Sequence, residues 1–200
     1  MSRRGWIGAL VAALALAACG TPAPAPQTPT HTPVTQEQLA ALAEKYQLPG
    51  CPETDPDVEA VDGGLPRTAL PCLGDGTPVN LAGLPRVPTV INVWAQWCEP
   101  CRQEAGHLRE GLAEIDGVSF VGIDYNDPLP DWAIEFAALA GWFYPHVVDQ
   151  DKQLQVPLRV AGIPTTLFVA ADGTIAGVKS GPLESVDELK ELVSTYLGVE

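Results

Sequence analysis

The sequence predicts a three-layer α/β domain, on three observations. Thr89–Ala95 and Ser119–Tyr125 are compact runs of β-forming apolar residues, the pattern of buried central strands. Between them, Cys101, Ala105, Leu108, Leu112 and Ile115 follow at steps of 4, 3, 4 and 3, which is one face of an amphipathic helix. Strands and helices then alternate to the end of the chain, and that alternation builds α/β layers.

The elements follow in order. Thr35 with Gln38 makes a capping box that opens a short helix through about Tyr46, and Pro49-Gly50 stops it. Residues 51–85 are turn-rich, with Cys51-Pro52, Gly63-Gly64 and Asp75-Gly76. Around Asp75-Gly76, the flanks Leu70–Leu73 and Thr77–Leu81 predict a hairpin. Trp132–Gly141 reads as a helix, and Tyr144–Val148 as a short strand or a connector. Thr165–Ala170 is a strand that Asp172-Gly173 turns into another, Ile175–Lys179. Ser185 caps a last helix to Leu197, and Gly198 ends it. There is no internal repeat.

Two hundred residues, 46% of them hydrophobic, suit one domain with a tail. A formal net charge of −14 argues against nucleic-acid binding, which needs a basic face. The acidic balance reads as a solvated surface and names no partner. Arg3 and Arg4 precede a short apolar run, Ile7–Ala18, the form of an export signal rather than a spanning helix. The run ends in Leu16-Ala17-Ala18-Cys19, which resembles a bacterial lipobox. That resemblance implies cleavage before Cys19 and a diacylglyceryl group on its thiol, two acyl chains being enough for stable anchoring. The plainer alternative is an ordinary signal peptide. Thr21–Thr35 is Pro- and Thr-rich with almost no apolar bulk, so it is expected to be a disordered tether. The predicted division is signal 1–18, anchored tether 19–35, N-terminal helix and turn-rich extension 36–64, and main domain 65–200.

Export implies a disulfide-permissive compartment. The cysteines are Cys19, Cys51, Cys72, Cys98 and Cys101. Lipidation of Cys19 leaves four, which allow three pairings. The near neighbours Cys98 and Cys101 suggest one pair, leaving Cys51 with Cys72.

The chemistry concentrates at Trp97-Cys98-Glu99-Pro100-Cys101. Two thiols two residues apart follow a buried strand and open a helix. A helix start offers unpaired N–H groups and partial positive charge, which stabilise a thiolate and make the first cysteine nucleophilic. The helix brings the second thiol within reach to resolve a mixed disulfide. Pro100 suits the first helical turn. A zinc half-site lacks further ligands at metal spacing, since His107 and His146 are isolated. A purely structural disulfide is the other alternative.

At these residues the chain resembles the thioredoxin superfamily, and more narrowly the exported, anchored proteins of the TlpA and ResA type. The resemblance rests on Asn92-Val93-Trp94-Ala95, Trp97-Cys98-Glu99-Pro100-Cys101 and Arg102-Gln103-Glu104. It resumes at Gly162-Ile163-Pro164-Thr165-Thr166 and Asp172-Gly173. It implies a thioredoxin-like mixed sheet flanked by helices, with an N-terminal hairpin extension. Cys98 would attack and Cys101 resolve. Pro164 would be a cis-proline against the pair, and Ile163, with Trp97 at the rim, would meet an extended substrate strand. Where thioredoxin has a buried Asp, this chain has Asn92, which cannot titrate. Glu104 is the family's alternative carboxylate and would shuttle a proton if buried; otherwise it is a solvated helix residue. No dissociable cofactor is implied, the cysteine pair being the redox centre. The implied partners are protein disulfides, apocytochrome c among them, and a membrane electron donor of the CcdA or DsbD type. A monomer on the outer face of the cytoplasmic membrane is expected.

Glu99 sets the expected direction. A carboxylate beside a thiolate disfavours it, which points away from strong oxidants at about −120 mV and toward thioredoxin at about −270 mV; Arg102 offsets it in part. Cys51–Cys72 reads as a staple or as a second redox pair. Trp94, Trp132, Trp142 and Phe143 read as packing, and His146 as a loop histidine. The rival functions are a disulfide donor or isomerase on the same fold, a copper chaperone of this fold, and a peroxidase of related fold.

Overall fold

The computed structural model describes residues 32–199. The expected signal segment, Cys19 and the tether as far as His31 lie outside the described residues. Thr35 caps α1 (Gln36–Lys45): its hydroxyl accepts from the Gln38 N–H at 3.3 Å, and the Gln38 side chain accepts from the Thr35 N–H at 2.8 Å. Two short strands, β1 (Ala69–Pro71) and β2 (Pro78–Asn80), pair antiparallel around a turn in which Gly74 and Gly76 take φ of 110° and 75°. Only glycine occupies such angles freely.

The main sheet has the order β5-β4-β3-β6-β7. Its centre is β3 (Thr89–Trp94), buried at every residue. On one side β3 runs parallel to β4 (Ser119–Tyr125), and β4 runs parallel to β5 (His146–Asp149). On the other side β3 is antiparallel to β6 (Thr165–Val169), and β6 to β7 (Ile175–Ser180). The helix α2 (Glu99–Glu114) joins β3 to β4, α3 (Pro130–Ala140) joins β4 to β5, and α4 (Val186–Leu197) follows β7. The Ser185 hydroxyl caps α4 by accepting from the Glu188 N–H, and Gly198 closes it in the left-handed conformation.

Alternation along the strands divides the core in two. Val90, Trp94, Phe120 and Phe168 pack with the buried faces of the four helices. Ile91, Val93, Val121, Ile123 and Leu167 pack with the hairpin and with Leu154, Leu158 and Val160 of the 150–162 connector. The sheet is mixed and flanked by helices, and its other covering layer is hairpin and turn. Past β1 the chain reaches β5 as well: the Cys72 N–H donates to the Thr77 carbonyl at 2.8 Å across the hairpin while Cys72 bridges to Val147, and the Leu73 N–H donates to the His146 carbonyl at 2.8 Å. Among the described residues, no helix is long and apolar enough to cross a membrane.

Candidate active site

β3 ends at Trp94, and a tight turn over Ala95–Trp97 delivers Cys98 as the N-cap of α2. The Cys98 sulfur accepts the Cys101 N–H at 3.2 Å, one of the donors that a helix start leaves unpaired. Cys98 and Cys101 are joined by a disulfide with a Cα–Cα distance of 5.3 Å, and both are buried. Glu99 is exposed in the first turn. Arg102, expected to offset Glu99, instead donates to the Gln96 carbonyl and lies over the Phe136 ring at 4.9 Å.

One helical turn after Cys101 on α2, Glu104 is wholly buried. One oxygen accepts the Leu183 N–H at 2.8 Å, and the other has no hydrogen-bond partner among the described residues. Burial pushes its carboxyl from the usual 4.5 up to about 7, against the lowering by Leu183 N–H and the Lys179 charge. Asn92 is buried too, its carbonyl oxygen accepting from the Tyr144 hydroxyl at 3.0 Å. The Ile163–Pro164 bond is cis and Pro164 is buried at the start of β6. Ile163 and the half-exposed Trp97 line a groove of about 330 Å³ with Asn126 and Lys152. The Trp97 indole N–H donates to the Asn126 carbonyl at 3.2 Å.

Cys51 and Cys72 form a second disulfide across 21 residues of sequence. Cys72 belongs to the hairpin-side core, whereas Cys98 and Cys101 belong to the helix-side core. His146 is no loop residue. It lies buried on β5, its ring tilted on Tyr144 at 4.6 Å, and burial lowers its pKa from 6.5 to about 4. Trp94 and Trp142 are packed as expected, but Trp132 and Phe143 leave half their surface open. Sequence reasoning missed two buried acids, Asp124 and Asp127. The readable signal was a charged residue inside the Ser119–Tyr125 strand.

A cysteine pair at a helix N-terminus, with a buried carboxyl on the same helix and on this sheet, defines a thiol–disulfide oxidoreductase of thioredoxin-like fold. Comparison with known proteins agrees. The chain belongs to the AhpC/TSA family, whose pattern matches residues 61–178. It is 31% identical over 145 residues to the thiol:disulfide interchange protein DsbE of Allochromatium vinosum, covering 69% of this chain and 78% of that one. To DsbE of Pseudomonas fluorescens it is 35% identical over 135 residues, covering 66% and 73%. Among solved structures, a secreted Mycobacterium tuberculosis disulfide oxidoreductase superposes with a TM-score of 0.57 at 27% identity. That match covers 64% of this chain and 96% of the other.

Proposed function

We propose that this chain works as a monomer outside the cytoplasm, tethered to the outer face of the membrane by a lipid on Cys19. There it reduces disulfides in exported proteins, apocytochrome c among them, with electrons from a membrane partner of the CcdA or DsbD type. The observation that carries the chemistry is the Cys98–Cys101 pair at the α2 N-terminus with buried Glu104 one helical turn on. The secreted relative supports the compartment.

The Cys98 thiolate attacks a substrate disulfide. One S–S bond forms and one breaks, and the departing substrate sulfur takes a proton from solvent. Cys101 then gives its proton to Glu104 and attacks the Cys98 sulfur. The second substrate sulfur leaves and is protonated in turn. Two electrons and two protons have passed to the substrate, and Cys98–Cys101 is a disulfide. A carboxyl near 7 suits a group that must take and return a proton at neutral pH. The substrate segment lies along the Ile163 backbone beside Trp97, in the groove next to Pro164. Glu99 disfavours the thiolate by like charge and so favours handing electrons on.

The test is the reduction potential of Cys98–Cys101 in the full chain, equilibrated in graded thiol buffers. A value near about −270 mV or below supports the reductant, and one near about −120 mV makes the protein a disulfide donor. The second reading, isomerase or oxidant, is favoured by the likeness to a secreted thiol–disulfide isomerase of Corynebacterium glutamicum at 25% identity and a TM-score of 0.58. The same measurement separates the two.

A further inference from the structure

The turn that delivers Cys98 is gripped at three points. The Gln96 N–H donates to Asp127 Oδ2 at 2.8 Å. The Gln96 carbonyl accepts from Arg102, itself seated on Phe136. The Trp97 indole N–H donates to the Asn126 carbonyl at 3.2 Å. Two of these grips come from the loop between β4 and α3. Asp127 is wholly buried, and its other oxygen accepts the Leu129 N–H at 3.0 Å. Beside it, at the end of β4 and in register with Trp94, Asp124 is also wholly buried. As a carboxylate, Asp124 would have no hydrogen-bond donor for either oxygen among the described residues. Two adjacent carboxylates away from water do not both ionise. An ionised acid without donors is also costly to bury.

We propose that Asp127 is a positioning residue for Cys98, and that Asp124 stays a neutral acid donating its proton to Asp127, so that the pair carries one charge. Asp127 then accepts from the Gln96 and Leu129 N–H groups, the Gln96 side chain and the Asp124 hydroxyl. It keeps its charge, holds Gln96 in place and so fixes where β3 releases the chain into α2. The energetics agree in direction. Burial, and then the neighbouring Asp127 charge, push the Asp124 carboxyl well above the usual carboxylate range. Burial raises Asp127 as well, but the Gln96 and Leu129 N–H groups hold it back. On the neighbouring elements, Arg102 of α2 is held by the Gln96 carbonyl and the Phe136 ring, and Asp149 of β5 lies opposite Tyr125 of β4. The Asp149 carboxylate is occupied by the N–H groups of Gln153 and Leu154.

The proposal rests on Cys98 being the attacking thiol. Infrared spectra of the oxidised Glu104→Gln protein, in which Glu104 no longer contributes, test the shared proton. A buried carboxylic-acid carbonyl band at neutral pH, lost when Asp124→Asn is added, is expected; a spectrum without that band overturns the proposal. Iodoacetamide labelling of the reduced protein tests positioning. Asp127→Ala is expected to slow Cys98 labelling about 10- to 100-fold, the usual scale for a misplaced reacting group. Asp124→Asn keeps a donor for Asp127 and stays near wild type, while Asp124→Leu, without one, behaves like Asp127→Ala. Equal rates for Asp124→Asn and Asp124→Leu overturn the proposal even if Asp127→Ala does not fold. Cys101 labelling ahead of Cys98 in the wild type sinks the role of Cys98, and this proposal with it. Normal labelling order with a wild-type rate in Asp127→Ala sinks this proposal alone.

Discussion

The two cysteine pairs of this molecule are both oxidised, yet they sit in opposite settings. Cys98 caps a 16-residue helix and receives the Cys101 N–H at 3.2 Å. Its thiolate, once formed, meets a partial positive charge, and closing a three-residue separation constrains little chain. Cys72 lies on the other face of the sheet among Leu70, Val79 and Val147, paired with a cysteine 21 residues away. That bond ties an extension to the domain and meets no such field. If the seat of a sulfur sets its reactivity, the same covalent link is expected to serve as reagent at Cys98–Cys101 and as fastening at Cys51–Cys72.

The comparison breaks most sharply at the cysteines themselves. Cys98→Ser is expected to reduce insulin-reduction turnover to background. The Cys51→Ser/Cys72→Ser protein should keep turnover within about twofold, while losing on the order of 3 kcal/mol of stability in urea. Loss of turnover in the double variant would instead make Cys51–Cys72 a second exchanging pair.

Glu104 sharpens it next. Glu104→Gln should slow resolution of a trapped mixed disulfide by about 100-fold, the scale of general acid–base help, with the first attack little changed. The same residue has a signature in stability. Its folded pKa, near 7, lies above the usual 4.5, so the folded state holds a proton that the unfolded chain has lost. Its contribution is complete below about 4.5 and fades as pH rises to about 7, worth on the order of 3 kcal/mol. The wild type should lose that much relative to Glu104→Gln across this window, as read by urea melts. The smallest effect belongs to exposed Glu99. Glu99→Gln should speed iodoacetamide labelling of reduced Cys98 about twofold at neutral pH, by removing a screened like charge.

Legibility in the sequence followed the range of the interactions. The strand at 119–125, the Thr35 box and the Ser185 cap are local patterns, and the structure carries all three. The cysteine motif, the carboxylate six residues on and the proline before β6 could likewise be read as candidates, because residue type and spacing define them. Contacts across the fold could not. Asp127 reaches Gln96 over 31 residues, and nothing near Asn126-Asp127-Pro128 announces it. His146 looked like a loop residue because Pro145 precedes it. It is buried because Gly122, opposite it on β4, has no Cβ to collide with its ring. The half-open Trp132 and Phe143 show the converse, since aromatic bulk alone does not say which face a helix or loop turns inward.

The pairing of Cys72 and Leu73 with β5 also has a bearing on solubility. A strand at the border of a sheet offers unpaired N–H and C=O groups to any passing chain, and such borders seed intermolecular assembly. Here the hairpin covers β5 at Val147 and His146, and the Cys51–Cys72 bond keeps the covering piece from drifting away. Strong reductant opens the catalytic pair as part of its ordinary cycle, but opening Cys51–Cys72 as well would uncover this strand, and aggregation would start there.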